Sequence, residues 1–143
     1  MRLLIVQYGG DYREVFHRVR NEGIETYHAQ KYVVDTVTKI SKQIDEIILL
    51  CCKTQKAYNQ EIEPGLRVIG AGIDPYKNPS QILEIIEVQK PTHLVVSFPM
   101  IDIFRWGINH QVKIMALLAD CFLHIGCLRR LINFIRLFLF NHL

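Results

Sequence analysis

The sequence predicts an α/β fold, with an open parallel sheet of about five strands and helices on both faces. Its apolar segments lack the polar alternation of half-exposed strands, which is typical of strands buried on both sides. Between these segments lie stretches whose apolar residues recur at helical spacing. A length of 143 residues suits one domain, so we expect residues 1–143 to form a single domain.

Five strands are predicted from the apolar runs. They cover residues 2–8, 47–52, 66–69, 92–98 and 112–118. The first run is closed by Gly9 and Gly10 and the fourth by Pro99, residue types that end regular structure. Residues 11–23 are polar and basic and indicate a loop or a short helix, whereas residues 53–64 are polar and predict a loop.

Amphipathic segments between the strands predict helices. The first covers residues 30–44, because its apolar residues lie four, three and four positions apart. These residues are Val33, Val37, Ile40 and Ile44. The next helix begins at Pro79 and stops at Lys90, since Asn78 is a favourable cap and proline is tolerated at the first helical position. Two more helices are predicted over residues 100–111 and 127–140.

Composition excludes several classes of protein. Half of the residues are hydrophobic and 22% are charged, which excludes a disordered tail, a coiled coil and a low-complexity linker. The net charge of +3 is too small to indicate a nucleic-acid partner. The amino terminus carries no secretory signal, and no uncharged apolar run reaches about 18 residues. We therefore expect a cytoplasmic protein.

This order of strands and helices is Rossmann-like, and in such sheets ligands bind beyond the carboxyl ends of the strands. Functional residues are therefore expected in five loops. The loops are residues 8–12, 51–54, 70–74, 97–101 and 119–122.

The first of these loops supplies four substrate-binding candidates. Gly9 and Gly10 form either an ordinary tight turn or a loop that lets a substrate approach the backbone closely. The dinucleotide-binding fingerprint lacks its third glycine here, so the loop does not argue for NAD. Asp11 and Arg13 are candidates for substrate contacts, with a solvated polar loop as the alternative.

Three further candidates lie elsewhere in the chain. Ser97 begins the fourth loop and is a substrate-binding candidate. His28 precedes the first long helix, on the side of the strand ends, and is another. Asp120 follows the fifth strand and is the catalytic candidate, since a carboxylate there can accept a proton or orient a hydroxyl. Its alternative is a helix or turn cap.

No metal site or cofactor is predicted. The six histidines form no HxxxH or HExxH pair, and the four cysteines lack CxxC spacing. The phosphate-binding signature GxxxxGK[ST] is also missing. We expect the cysteines to be buried thiols of a reducing compartment. They are Cys51, Cys52, Cys121 and Cys127.

Several segments resemble the amino-terminal domain of family 4 glycosyltransferases of the GT-B fold. They are the opening RLLIVQYGGDYRE, the helix lead-in EGIETYHAQKYVVDTV, and the strand ends CC, GAG, SFPM and LLAD. In that family two Rossmann-like domains face each other across a cleft. The amino-terminal domain mainly binds the acceptor, and the carboxyl-terminal domain binds the nucleotide-sugar.

The resemblance implies an acceptor-side domain. In the full protein a sugar would pass from a nucleotide-sugar to a hydroxyl of a sugar or lipid-linked acceptor. The donor-binding domain is expected to be absent from these 143 residues, so the chain alone is expected to be inactive. The resemblance also implies that Gly9 and Gly10 line the cleft. Asp120 matches an acidic residue that follows the family's proposed catalytic histidine, whose position holds Ala119.

Two alternatives remain open from the sequence. One is a non-catalytic, flavodoxin-like module that binds a nucleotide or a partner. The other concerns residues 127–143, which combine arginines with a very apolar composition. Such a segment either lies on the inner face of an anionic membrane or packs on the sheet and on a domain that is absent.

Overall fold

A computed structural model describes residues 1–26 and 30–116 of the chain. In chain order the elements are β1 (Arg2–Gly9), α1 (Tyr12–Asn21), α2 (Gln30–Ser41), β2 (Glu46–Lys53), β3 (Tyr58–Glu63), β4 (Leu66–Gly70), α3 (Pro79–Gln89), β5 (His93–Val96), α4 (Ile101–Asn109) and β6 (Lys113–Ala116). The described part is therefore an α/β structure.

The six strands form one sheet in the order β3-β4-β2-β1-β5-β6. All neighbours pair in parallel except β3, which is antiparallel to β4. If the five parallel strands β1, β2, β4, β5 and β6 are numbered 1 to 5, their order across the sheet is 3-2-1-4-5. The chain thus builds outward on one side of β1 and then continues on the other side. The direction of building reverses between β1 and β5.

Both faces of the sheet are buried under helices. Successive side chains of a strand point to opposite faces, so one strand contributes to both layers. In β2, Ile47, Leu49 and Cys51 pack with residues of α1 and α2 on one face. Ile48, Leu50 and Cys52 of the same strand pack with residues of α3 and α4 on the other. Burial of one large apolar side chain contributes about 1.5–3 kcal/mol. The expectation of helices on both faces is confirmed for the described residues.

The strand count differs from the prediction, since the described part has six strands rather than about five. The additional strand is β3, which lies within the segment predicted as a loop. It is an edge strand whose Asn59, Gln60 and Glu61 are exposed, so its sequence lacks an apolar run. Gly65 closes the β3–β4 hairpin with a φ of +78°, a conformation that favours glycine.

The polar segment after β1 is a helix, the second of the two possibilities left open by the sequence. α1 buries Val15, Phe16 and Val19 against the sheet and the neighbouring helix. α3 begins at Pro79, as predicted. The side chain of Asn78 makes no capping hydrogen bond, however, so the predicted role of that side chain is wrong.

The fifth predicted strand is present as β6, described as far as Ala116. The helix predicted over residues 127–140 lies outside the described residues. Within residues 1–26 and 30–116, no helix has the length and apolar character needed to cross a bilayer.

Candidate functional site

The candidate site lies at the carboxyl edge of the sheet, where β1 ends in two glycines. Gly10 has a φ of +89°, which favours glycine and turns the chain toward α1. A side chain added at Gly9 would meet no atom within 4 Å. The end of β1 therefore faces open space at the edge where ligands bind in sheets of this kind.

Asp11 follows the turn and caps α1. Its Oδ1 accepts hydrogen bonds from the backbone N–H of Arg13 at 3.1 Å and of Glu14 at 3.4 Å. The first N–H groups of a helix lack partners within the helix, and the positive end of the helix dipole favours a negative charge. The N–H groups that would suit a phosphate are thus occupied by the chain's own carboxylate.

Asp11 also joins two side chains, and we call Asp11, Arg13 and Tyr58 the carboxylate cluster. The Tyr58 hydroxyl donates to Asp11 Oδ1 at 2.6 Å. Arg13 Nη2 lies 3.2 Å from Asp11 Oδ2, and the Arg13 Cζ lies 4.2 Å from the centre of the Tyr58 ring. The polar groups of this cluster therefore have partners within the chain.

Tyr58 remains a neutral donor in this arrangement. Burial raises the pKa of its phenol well above the ordinary value, and the hydrogen bond to Asp11 raises this pKa further. The phenol therefore keeps its proton near neutral pH. Its role at Asp11 is donation of a hydrogen bond rather than exchange of a proton with a substrate.

Gly70 explains how the Tyr58 ring reaches Asp11. The two residues are paired across β3 and β4. A Cβ at Gly70 would overlap the Tyr58 ring and would lie 2.8 Å from Thr54 Oγ1. The missing side chain thus leaves the space in which the ring crosses β4.

The two thiols of β2 are buried beneath this edge. Cys51 and Cys52 are free cysteines with no exposed surface. Burial raises the pKa of Cys51 to about 11 and that of Cys52 to about 12. Both are therefore thiols at neutral pH, which makes them poor nucleophiles. The prediction of buried thiols is confirmed for this pair, while Cys121 and Cys127 lie outside the described residues.

A second cluster lies at the same edge on the opposite face. The side chain of Tyr8 lies on the same face of β1 as those of Leu4 and Val6. Phe98 belongs to the core beneath α3 and α4. Tyr76 lies in the loop after β4. The three ring centres are 5.5 Å (Tyr8–Tyr76), 5.6 Å (Tyr8–Phe98) and 5.9 Å (Tyr76–Phe98) apart. We call Tyr8, Tyr76 and Phe98 the aromatic platform.

The platform is open to solvent on two of its rings. Tyr8 is 37% exposed and Tyr76 is 55% exposed, whereas Phe98 is buried. Lys53 and Asp74 form its polar rim, with 3.9 Å between Lys53 Nζ and Asp74 Oδ2. Lys53 Nζ also lies 5.5 Å from the centre of the Tyr8 ring. The platform thus combines two solvent-exposed tyrosines with a pair of opposite charges.

Ser97 lies at the same edge of the sheet, just after β5. Its hydroxyl donates to the Val6 carbonyl oxygen at 3.0 Å and lies 2.9 Å from Gln7 Oε1. Its backbone N–H also donates to the Val6 carbonyl oxygen, at 3.1 Å. Ser97 therefore fastens the end of β5 to β1, at the place where the building direction of the sheet reverses.

The structure brings five of the seven predicted site residues to one edge of the sheet. These are Gly9, Gly10, Asp11, Arg13 and Ser97. His28 and Asp120 lie outside the described residues, so their roles stay predictions. Asp11 and Arg13 have partners within the chain and support the fold, which leaves their predicted substrate contacts untested.

Sequence reasoning missed Tyr58 and the aromatic platform. The Pro64-Gly65 dipeptide is a turn signal that could have indicated the β3–β4 hairpin and hence the place of Tyr58. Tyr8 was part of a predicted strand end, but no pattern in the sequence relates it to Tyr76. Their meeting depends on the path of the loop after β4.

Within the described ranges, no group of three or more His, Cys, Asp or Glu side chains is placed to hold a metal ion. Comparisons of the chain with models of known protein families, with curated proteins and with solved structures found no match.

Proposed function

We propose that this chain is a Rossmann-like domain that binds the acceptor in a sugar-transfer reaction. The acceptor would bind in the crevice between the carboxyl ends of β1 and β5. One observation carries the proposal: the carboxylate of Asp11 occupies the amino terminus of α1, beside the glycine turn that faces open space.

The strand order supports the placement of the site. The order 3-2-1-4-5 of the parallel strands matches the first five strands of a Rossmann sheet, in which ligands bind where the order reverses. Here that point lies between β1 and β5. Gly9 and Ser97 lie on its two sides.

The charge at this point favours a neutral ligand. A phosphate bound at α1 would have to displace Asp11 from the N–H groups of Arg13 and Glu14. It would also meet the negative charge of that carboxylate. An acceptor that presents hydroxyl groups meets no such repulsion, and it can hydrogen-bond to backbone and hydroxyl groups at the crevice.

The nucleotide-sugar would be bound by other parts of the full protein. Its departing diphosphate needs positive charges or helix amino termini for stabilisation, and α1 offers its amino terminus to Asp11 instead. A role for Asp120 in activating the acceptor hydroxyl remains part of the proposal and lies outside the described residues. Membrane contact through residues 127–143 is likewise part of the proposal, and those residues also lie outside the described part of the chain.

Binding by the full 143-residue chain tests the proposal. Backbone amide NMR would compare methyl β-D-glucopyranoside, methyl α-D-mannopyranoside and methyl β-D-galactopyranoside with the nucleotides UDP and ADP. We expect at least one glycoside to shift the amide signals of Gly9, Gly10 and Ser97 saturably, and neither nucleotide to do so.

The Gly9→Ala variant supplies the control for the location of binding. Because Gly9 faces open space, the added methyl group is expected to leave the fold intact and to weaken glycoside binding. Saturable binding of UDP or ADP at Gly9 and Gly10, without a response to any glycoside, would reject the acceptor role and favour a nucleotide-binding module.

A further inference from the structure

We propose that the aromatic platform binds a pyranose ring of the acceptor, with one face of the sugar against the ring of Tyr76 and its edge against the ring of Tyr8, since the two ring planes are inclined at 45°. This proposal rests on the proposed acceptor role. Lys53 and Asp74 would contact the hydroxyl groups at the edge of that sugar.

The platform and its polar rim come from four separate parts of the chain. Tyr8 comes from the end of β1, Lys53 from the end of β2, Tyr76 from the loop after β4, and Phe98 from the loop after β5. Each lies at or just after the carboxyl end of a parallel strand, the edge at which open α/β sheets bind ligands. Because several parts of the chain converge at this edge, the platform differs from a single exposed tyrosine such as Tyr32 on α2.

The rings are held in place before any ligand binds. Tyr8 and Tyr76 pack on each other and on the buried Phe98, in tilted and edge-on arrangements that aromatic rings favour. The Tyr76 hydroxyl donates to the Pro99 carbonyl oxygen at 3.4 Å, and its backbone N–H donates to Asp74 Oδ1 at 3.1 Å. A ligand that stacks on these rings would therefore lose little affinity to their ordering.

The chemistry of the surface fits a pyranose. A pyranose presents C–H groups on its face and hydroxyl groups around its edge. The negative face of an aromatic ring attracts the slightly positive hydrogens of C–H groups. The Lys53–Asp74 pair offers a donor and an acceptor for the hydroxyl groups.

The same pair disfavours a nucleotide. A nucleobase could stack on the rings, but its phosphates would need an uncompensated positive charge. Lys53 already lies 3.9 Å from Asp74. The carboxylate of Asp11 adds negative charge at the same edge of the sheet.

Saturation-transfer NMR on the full chain tests the platform, with methyl β-D-glucopyranoside as the first probe. This sugar carries three axial hydrogens, H1, H3 and H5, on one face. We expect these three to receive more saturation than H2 and H4, because that face would lie against the rings. The α-mannoside, the β-galactoside and adenosine are the comparison probes.

Variants locate the binding. The double variant Tyr8→Ala/Tyr76→Ala is expected to weaken glycoside binding by about tenfold, because both rings that contact the sugar are lost. Tyr76→Ala alone removes the more exposed ring and serves if the double variant does not fold. Tyr8→Phe/Tyr76→Phe keeps both rings and is expected to retain binding. Tyr32→Ala is the matched control, since that tyrosine is 72% exposed on α2.

The outcomes separate this proposal from the acceptor role. If the folded tyrosine-to-alanine variants bind a glycoside as the wild type does, the platform is not the site, while the acceptor role stands. If the wild type binds none of the three glycosides, both proposals fail. If adenosine saturates the platform in place of the glycosides, the sugar assignment is overturned.

Discussion

The carboxylate cluster and the aromatic platform lie at the same edge of the sheet, on opposite faces, and differ in how their groups are used. In the carboxylate cluster, Asp11 accepts hydrogen bonds from the backbone and from Tyr58. The Asp11 carboxylate and the Tyr58 hydroxyl therefore have their partners within the chain. In the aromatic platform, Tyr8 and Tyr76 leave ring surface in solvent.

The difference shows that a charged side chain in a strand-end loop can serve the fold, while an uncharged one at the same edge stays exposed. Asp11 is a charged residue in a strand-end loop, which makes it a natural candidate from sequence. In the structure it caps a helix and holds a ring across β4. Tyr8 is uncharged and ends an apolar run, yet it offers accessible surface at the same edge.

The largest expected effect comes from filling the space beneath the Tyr58 ring. Gly70→Ala places a methyl group against that ring and near Thr54. We expect the free energy of unfolding to fall by about 3 kcal/mol, from overpacking and loss of the Tyr58–Asp11 hydrogen bond. Urea denaturation measures the change.

Gly9→Ala is the matched control, because it makes the same substitution at the same edge, in open space. Its expected change in unfolding free energy is below about 0.5 kcal/mol. Equal stability of the two variants would show that Gly70 does not make room for the ring.

Removal of the carboxylate at Asp11 is expected to have the next largest effect. Asp11→Ala takes away the cap of α1 and the acceptor of the Tyr58 hydroxyl. Together these losses are expected to destabilise the fold by about 2 kcal/mol. Asp11→Asn keeps a capping oxygen and is expected to lose less than half as much. If the alanine variant melts at the wild-type temperature, the cluster does not support the fold.

A pair of conservative variants compares the two clusters directly. Tyr58→Phe removes the hydroxyl that donates to Asp11 and is expected to cost about 1 kcal/mol. Tyr76→Phe removes a hydroxyl from the exposed platform and is expected to cost less than about 0.5 kcal/mol. Chemical denaturation of both variants under one set of conditions gives the comparison, and a reversed order would contradict the assignment of roles.

The smallest expected effect is the pH dependence of the unfolding free energy that comes from Cys51. Burial raises the pKa of its thiol from an ordinary value of 9.0 to about 11, so the folded state holds this proton more tightly. The resulting stabilisation is complete below about pH 9 and is lost as the pH rises toward about 11. We expect the free energy of unfolding to decline over this range.

The Cys51→Ala variant is expected to show a shallower decline, with contributions remaining from Cys52, Tyr12 and Tyr58, whose pKa values are also raised. In the wild type, peptide mapping after treatment with iodoacetamide at neutral pH should find both β2 thiols unmodified. A pH profile that is flat or rises over this range would contradict the burial of Cys51.

The central elements of the fold could be predicted because their sequences carry strong signals. β1 and β2 are unbroken apolar runs since both of their faces are covered. The sequence does not indicate β3, because an edge strand exposes polar residues such as Gln60. It leaves α1 open between a loop and a helix because the exposed face of that helix is polar, although Asp11 is a favourable capping residue.

The candidate site could be predicted only in its position. The alternation of strands and helices along the sequence predicts that ligands bind at the carboxyl edge of the sheet, and Gly9 and Ser97 lie at that edge. Which side chains meet at that edge depends on loop paths and on the absent side chain of Gly70. Neither Tyr58 with Asp11 nor Tyr8 with Tyr76 is related by a regular spacing, so no periodic pattern connects them.

Tyrosine-selective NMR would test both clusters in a single sample. With the tyrosine rings isotopically labelled, methyl β-D-glucopyranoside is titrated into the full chain and the ring signals are followed. We expect saturable shifts and sugar-to-ring NOEs at Tyr8 and Tyr76, with Tyr58 unchanged. Contacts at Tyr58, with Tyr8 and Tyr76 unaffected, would contradict binding at the aromatic platform, because they would place the ligand on the carboxylate cluster.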